Sequence, residues 1–318
     1  MQLLRRDWDT RANYYKQTRS DYDGMEVDIH IETESIESVT GLEAIGENYD
    51  ALLVDAWGVL HDGQSCYAGV IECLRQLSRL HKPVIVLSNA ARRHDAIEHE
   101  LLRVGISQDL YHSVRSSGEL TWQWLNSASN LNETGNSGYY LGPARSQSLC
   151  DGLPVKWVDS LESADFVLNT GAPVGNPVDA SVLLPVLEQM LERQLPMLCA
   201  NPDRVAIRAG EMGISAGAIA KLYQSLGARR IVYYGKPQPG LFELAMQVLP
   251  IIEKSRVLMV GDAFETDIAG AANFGVDSLL ITGGIHQSEL TPLSTEKVIR
   301  AANRYAAAPT IYCQSFCW

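Results

Sequence analysis

Four short apolar runs, each ending on residues able to do chemistry, constrain this chain most. Ala51-Leu52-Leu53-Val54 ends at Asp55, and Val84-Ile85-Val86-Leu87 ends at Ser88-Asn89. Ile231-Val232-Tyr233-Tyr234 ends at Gly235-Lys236, and Val257-Leu258-Met259-Val260 ends at Gly261-Asp262. Such runs are too short for helices, and their Val, Ile and Leu content suits strands buried on both faces of a parallel sheet. Helical patterns are predicted over Val70–Leu80, Ala96–Val104 and Leu241–Leu249. Repeated strand–helix units predict an α/β fold, a doubly wound parallel sheet with right-handed crossovers. Ligands of such sheets bind at the carboxyl ends of the strands. Asp55, Ser88, Lys236 and Asp262 all fall there.

Spacing divides the chain further. Asp55 and Ser88 are 33 positions apart and Lys236 and Asp262 are 26 apart, each about one βαβ unit, but 148 positions separate Ser88 from Lys236. That gap is far too long for one crossover. It carries its own alternation: Tyr139-Tyr140-Leu141 before Gly142, Phe166-Val167-Leu168 before Asn169, a helix near Leu183–Arg193, and Met197-Leu198-Cys199 before Asn201. The expected division is a weakly structured extension over 1–35, a core at 36–119 and 200–318, and a smaller inserted α/β domain at 120–199.

Charge and cysteines narrow the class. The formal net charge is −12, from 38 acidic and 26 basic side chains, which argues against nucleic acid as the main partner. Residues 21–50 hold ten acidic side chains and no Lys or Arg, so the acidity belongs mostly to that stretch. A hydrophobic content of 46% suffices for a sizeable core and excludes global disorder. No apolar run approaches the roughly 20 residues that span a bilayer, and Met1-Gln2-Leu3-Leu4-Arg5-Arg6 opens without the apolar stretch of a secretory signal. A cytoplasmic protein with no membrane partner is expected. The six cysteines are scattered and read as reduced thiols; Cys313 and Cys317, the one close pair, lack the further ligands of a zinc site.

The strand-end groups form a coherent chemical set. A carboxylate at Asp55 can serve as nucleophile or metal ligand. The Ser88 hydroxyl and the neighbouring backbone can hold a phosphate oxygen. Lys236 can neutralise the charge of a phosphoryl group in its transition state. Asp262, with Asp267 five residues on, can complete a magnesium site, because that ion takes oxygen ligands and needs only one or two carboxylates beside substrate phosphate. Together they suit phosphoryl transfer to Asp55 followed by hydrolysis.

The strings Asp55-Ala56-Trp57-Gly58-Val59-Leu60, Ser88-Asn89, Gly235-Lys236-Pro237 and Gly261-Asp262-Ala263-Phe264-Glu265-Thr266-Asp267-Ile268 resemble the four motifs of the haloacid dehalogenase (HAD) superfamily. The long gap between the second and third motifs, and Asn201-Pro202-Asp203, resemble its subclass IIA, the NagD-like sugar and nucleotide phosphatases. The string from Asp55 to Gly63 is similar to a little-characterised branch of it. The resemblance covers about residues 45–290 and implies a HAD-like Rossmannoid core with an inserted α/β cap. It further implies a Mg2+-dependent hydrolase of a small phosphorylated metabolite, and a homodimer. Asp55 and Lys236 would be catalytic, Ser88, Asn89 and Gly58 would bind substrate, and Asp55, the Trp57 carbonyl, Asp262 and Asp267 would serve the metal.

One position departs from that pattern. Phosphatases of the superfamily carry a second Asp two residues after the nucleophile, as general acid and base; here Trp57 stands there. Its carbonyl can bind metal, but its indole cannot move the proton. A catalytically impaired member that binds a phosphometabolite or a partner is therefore the rival reading. His61-Asp62 reads either as a replacement acid or as turn residues. Arg92 and Arg93 read as phosphate contacts or as surface arginines. Asn169-Thr170-Gly171 and Leu141-Gly142-Pro143 read as cap loops choosing the substrate or as plain turns. Trp122, Trp124 and His286 read as packing residues. A phosphoacceptor receiver domain is disfavoured by the insertion, and a nicotinamide-binding fold by the absence of Gly-x-Gly-x-x-Gly after the first core strand.

Overall fold

In the computed structural model, residues 36–208 and 211–318 are described. The extension expected over 1–35 lies outside the described residues. In chain order the strands are β1 (Glu37–Ser38), β2 (Ala51–Val54), β3 (Val84–Ser88) and β4 (Ser113–Ser116). Next come β5 (Ser137–Leu141), β6 (Lys156–Val158), β7 (Phe166–Asn169) and β8 (Met197–Cys199). The pair β9 (Val205–Arg208) and β10 (Glu211–Ile214) is antiparallel, and β11 (Ile231–Tyr233) follows. The chain closes with β12 (Val257–Gly261), β13 (Asp277–Ile281) and β14 (Ile311–Cys313).

A seven-stranded parallel sheet has the order β1-β14-β13-β12-β2-β3-β4. Its central strands are buried on both faces, as their near-continuous apolar runs require. Alternation along them sorts the side chains into two layers. Leu52, Val54, Val86, Leu258 and Val260 pack on one side against Val70, Cys73, Leu74 and Leu77 of the helix Val70–Arg79 and Leu101 of the helix His94–Arg103. Ala51, Leu53, Ile85, Leu87 and Met259 pack on the other against Leu241, Phe242 and Ala245 of the helix Pro239–Met246. The chain order reverses between β2 and β12, so the crevice of this sheet opens past Val54 and Gly261.

The second sheet is also parallel and has the order β11-β8-β7-β5-β6. Here the structure corrects the sequence reading. Ile231–Tyr233, expected in the core sheet, pairs with β8, and Tyr234 extends that ladder by donating its N–H to the Cys199 carbonyl at 2.9 Å. The strands of the inserted sheet therefore run from Ser137 to Tyr233, and the chain returns to the first sheet at Gly235–Lys236 rather than at residue 200. A buried apolar run carries no label for the sheet that will receive it. The geometric result is that the carboxyl ends of both sheets face one gap: β11 delivers Lys236 to Asp55, and β8 runs into Asp203, which accepts a hydrogen bond from Asn89. Among the described residues, no helix is long and apolar enough to cross a membrane.

Candidate active site

Asp55 and Asp262 follow the adjacent strands β2 and β12 at the reversal of strand order. The Asp55 N–H donates to the Val260 carbonyl at 2.8 Å, so the ladder holds its backbone and leaves the carboxylate at the crevice. Asp262 Oδ2 accepts from the Ile285 N–H at 2.7 Å. Two glycines make room for this carboxylate. A Cβ on Gly58 would stand 1.9 Å from Asp262 Oδ2, and one on Gly284 would stand 2.1 Å from it. Gly58 also has a φ of 82°, a conformation that a side chain strains. Gly58→Ala is expected to displace Asp262 and lower kcat/KM by about tenfold or more, the effect of roughly 1–2 kcal/mol of strain at a reacting centre. Steady-state kinetics matching the parent chain would contradict this.

Lys236 is 1% exposed and triply held. Its Nζ lies 2.5 Å from Asp55 Oδ1, 2.7 Å from Asp267 Oδ1 and 2.9 Å from the Leu87 carbonyl. Asp267 Oδ2 in turn accepts the N–H groups of Asp262 and Ala263, both at 3.0 Å. Asp267 therefore positions both the lysine and the turn that carries Asp262.

Asn89 differs from expectation in detail. Its Oδ1 accepts from the Lys236 N–H at 2.7 Å and from Ser117 Oγ at 3.2 Å. Its Nδ2 donates to the Lys236 carbonyl at 3.0 Å and to Asp203 Oδ1 at 2.7 Å. That amide is a clasp joining the second motif to the third and to the inserted unit, and it is already committed to protein partners. Among the described residues, Ser88 Oγ accepts from the Ala90 N–H at 3.2 Å and donates to no protein group, so its proton is available to a substrate oxygen.

The electrostatics call for a cation. Ligand atoms of Asp55, Asp262 and Asp267 all lie within 4.8 Å of one another, so the three could hold a metal ion. Three carboxylates beside one ammonium leave an excess of negative charge in a buried place. Burial pushes the Asp55 carboxyl up to about 7, with Lys236 opposing and Asp267 and Asp203 adding to the rise. Burial, then the charges of Asp55 and Asp267, holds Asp262 well above its ordinary value. Burial alone would lower Lys236, but Asp267 and Asp55 outweigh it and hold the ammonium above its usual range. A divalent cation relieves this crowding with the oxygen donors such ions prefer.

The remaining candidates sort by what they touch. The Trp57 ring lies over the turn at Gly63 and meets His61 edge-on, with centroids 5.3 Å apart. His61 is fully buried and its Nδ1 accepts the Gly63 N–H at 3.0 Å; Asp62 Oδ1 accepts the N–H groups of Gln64 and Ser65 at 2.8 and 2.7 Å. Both are turn residues in the loop after the first motif. Arg92 pairs with Glu100, and Arg93 pairs with Glu119 while lying 4.0 Å above the Trp122 ring. Trp124 packs on Tyr234, and His286 packs between Phe264 and Tyr305. Asn169 is spent on the Ala216 carbonyl and the Gly171 N–H. The sequence reading missed Ser117 and Gly284, whose partners lie far along the chain. It also missed a cleft beside Lys236 lined by Arg204, Lys221, Tyr233, Gln238 and Glu265, bridged by Arg204 Nη1 and Glu265 Oε1 at 3.0 Å.

Comparison with known proteins agrees with this geometry. Residues 52–153 match a haloacid dehalogenase-like hydrolase family and residues 233–315 a second HAD-hydrolase-like family, so matches fall on both sides of the insertion. Mouse chronophin is 26% identical over 75% of this chain and 82% of its own length. An acid sugar phosphatase of Staphylococcus epidermidis is 24% identical over 76% of this chain and 90% of its own. A haloacid dehalogenase-like hydrolase from Brucella suis 1330 superposes with a TM-score of 0.76 at 28% identity, covering 87% of this chain and 99% of that one. With the four motifs gathered at one crevice and a second parallel sheet inserted between Ser88 and Lys236, the chain belongs to the haloacid dehalogenase-like hydrolases, in the NagD-like subclass IIA.

Proposed function

We propose that the protein is a magnesium-dependent phosphatase of a small phosphorylated metabolite, acting through an aspartyl phosphate on Asp55. The observation that carries this is the pairing of Asp55 with Lys236 inside a cluster of three carboxylates at the switch of the first sheet. Asp55, Asp262 and the Trp57 carbonyl would hold Mg2+, which would neutralise phosphoryl charge when bound. Lys236 supplies the other fixed positive charge, and the Ser88 hydroxyl orients a phosphoryl oxygen. Asp55 attacks phosphorus in line with the leaving oxygen, and water then cleaves the acyl phosphate. Names of relatives support this reading: chronophin aside, they include a sugar phosphatase and a glycerol-3-phosphate phosphatase.

Trp57 sets the character of this chemistry. His61 Nδ1 and Asp62 Oδ1 are engaged inside the loop, and neither residue is assigned to protonate the leaving oxygen, a service that contributes about 10²–10⁴ in rate. Turnover should therefore fall steeply as the leaving group becomes more basic. A series of aryl phosphates of graded phenol acidity checks this; a flat profile would contradict it. The same tryptophan supports a second reading, a phosphometabolite-binding member with little turnover. Assays of p-nitrophenyl phosphate with magnesium or EDTA, on the parent chain, Asp55→Asn and Trp57→Asp, separate the two. Metal-dependent turnover lost in Asp55→Asn supports the enzyme. Turnover appearing only in Trp57→Asp supports the second reading.

Metal linkage gives a further expectation. Asp55 and Asp262 have folded-state pKa values above the unfolded value near 4, so their protonated forms stabilise the metal-free protein at low pH. That stability is lost as pH rises through about 7, where Asp55 ionises. Magnesium binds the ionised carboxylates, so its increment in Tm should be larger at pH 8 than at pH 5.5, as read by thermal melts with and without the ion. An equal or smaller increment at pH 8 would contradict the assignment.

A further inference from the structure

The loop after β13 reaches the Asp262 carboxylate from outside the crevice. The Gly283 N–H donates to the Gln314 carbonyl at 2.9 Å, which ties the start of this loop to the segment after β14. Gly284 then passes close against Asp262, and the Ile285 N–H donates to Asp262 Oδ2 at 2.7 Å. His286 follows at once, ahead of the short helix Gln287–Leu290. Its side chain is mostly buried, with 14% exposed.

Both ring nitrogens of His286 have partners. Nε2 lies 3.5 Å from the backbone nitrogen of Phe264, in the turn between Asp262 and Asp267. A backbone N–H can only donate, so Nε2 is the acceptor and the ring proton sits on Nδ1. Nδ1 then donates to Glu289 Oε2 at 3.3 Å. Glu289 is held in its turn by the end of the helix Thr295–Tyr305: the Tyr305 hydroxyl donates to Oε2 at 3.3 Å, and Arg304 pairs with Oε1. The ring is also fixed by packing. Phe264 meets it edge-on with centroids 5.0 Å apart, Tyr305 lies 4.9 Å away, and Phe264 and Tyr305 stack at 5.3 Å.

The turn that His286 contacts has unusual geometry. Phe264–Ile268 is one turn of π-helix, with the Asp267 and Ile268 N–H groups both donating to the Ala263 carbonyl. Such wide turns are rare, and the Phe264 N–H is one of the donors that the opening of a helix leaves over. His286 therefore joins two backbone segments that bear on Asp262, its own loop through Ile285 and the turn through Phe264.

We propose that His286 is a positioning residue of the magnesium site: held by Glu289 and holding the Phe264 N–H, it fixes the Ile285 N–H on Asp262 and so sets the direction of that carboxylate before the ion binds. This rests on the magnesium reading of the Asp55, Asp262 and Asp267 cluster. His286 is assigned no contact with substrate or ion and acts through Phe264 and Ile285. Partners of this kind, one step outside a metal ligand, orient the ligand and raise metal affinity.

The test reads metal binding through stability, so turnover is not needed. The full chain is melted in EDTA and over a series of magnesium concentrations, and each variant's rise in Tm is counted from its own value in EDTA. A loss of packing alone shifts the EDTA value and leaves the magnesium dependence where it was. His286→Phe keeps an aromatic ring beside Phe264 and Tyr305 but removes both nitrogens. The magnesium concentration that gives a set rise in Tm should move up about tenfold, the lower end of what the outer partners of a metal ligand contribute. His286→Gln offers both an acceptor and a donor and should recover part of that shift. Glu289→Gln should shift it less than His286→Phe does, and the double variant no further than His286→Phe alone. A His286→Phe series that overlies the parent's, equal shifts in the two His286 variants, or single shifts that add in the double variant would each overturn the inference. A parent melt that ignores magnesium would overturn the metal reading and this inference with it. A p-nitrophenyl phosphate assay beside the melts reads the phosphatase activity on its own, so the two conclusions can fail separately.

Discussion

Asp55→Asn is expected to lower turnover of p-nitrophenyl phosphate by at least about 10⁴-fold, since removing a covalent nucleophile costs losses of that order or more. The substitution is isosteric and keeps one oxygen for Lys236. Its effect on folding should be small or favourable. The carboxyl is held near 7 by burial, so the native state resists its charge rather than depending on it. A dead enzyme with a parent-like or raised melting temperature in metal-free buffer is the expected pair of results. An equally dead enzyme that has also lost its fold would say that Asp55 is structural.

Lys236→Met is expected to damage both stability and activity. The lysine is 1% exposed, and its Nζ serves Asp55, Asp267 and the Leu87 carbonyl together. Methionine fills most of the volume but leaves two buried carboxylates with no cation between them. Breaking a buried pair in this way costs about 3–5 kcal/mol, roughly 5–15 °C in Tm for a chain of this size. The loss should be largest at high pH, where both carboxylates are ionised, and magnesium should recover part of it. Because Asp267 also orders the turn at Asp262 and Ala263, the double variant Lys236→Met/Asp267→Asn should lose less stability than the sum of the singles. Additive losses would show that the two side chains do not act as a pair.

Much of this site was legible in the chain because the strand ends are local signals. A buried apolar run followed by Asp, Ser or Gly-Asp announces both the strand and the group it presents, and β2, β3 and β12 form where those runs lie. The helix Val70–Arg79 also falls where its apolar spacing placed it. Other elements carried no such signal. β4 and β6 are edge strands with polar residues in Ser113–Ser116 and Lys156–Val158, and their pairing is decided by neighbours distant in sequence. β14 comes some thirty residues after β13 and reaches the sheet only through the long excursion of the helix Thr295–Tyr305. The membership of β11 was misread because a parallel strand fits either sheet equally well on composition. Within the site, residue identity told which groups were chemically able, but not which were already spent. The side chain of Asn89 is a clasp, which leaves its backbone N–H as the group that could meet a phosphate. His61 is buried, with Nδ1 accepting within its loop and Nε2 left without a hydrogen-bond partner among the described residues. Gly58 proved to be a spacer for Asp262, which only the fold could show.

The central claim is a covalent phosphoryl enzyme on Asp55, and the most direct measurement is acid quenching of the magnesium-loaded protein during turnover of p-nitrophenyl phosphate, followed by mass spectrometry of its peptides. The account predicts a phosphoryl adduct confined to the peptide containing Asp55, sensitive to hydroxylamine as an acyl phosphate should be, and absent in Asp55→Asn. Turnover with no adduct at Asp55, and with Asp55→Asn still active, would contradict it.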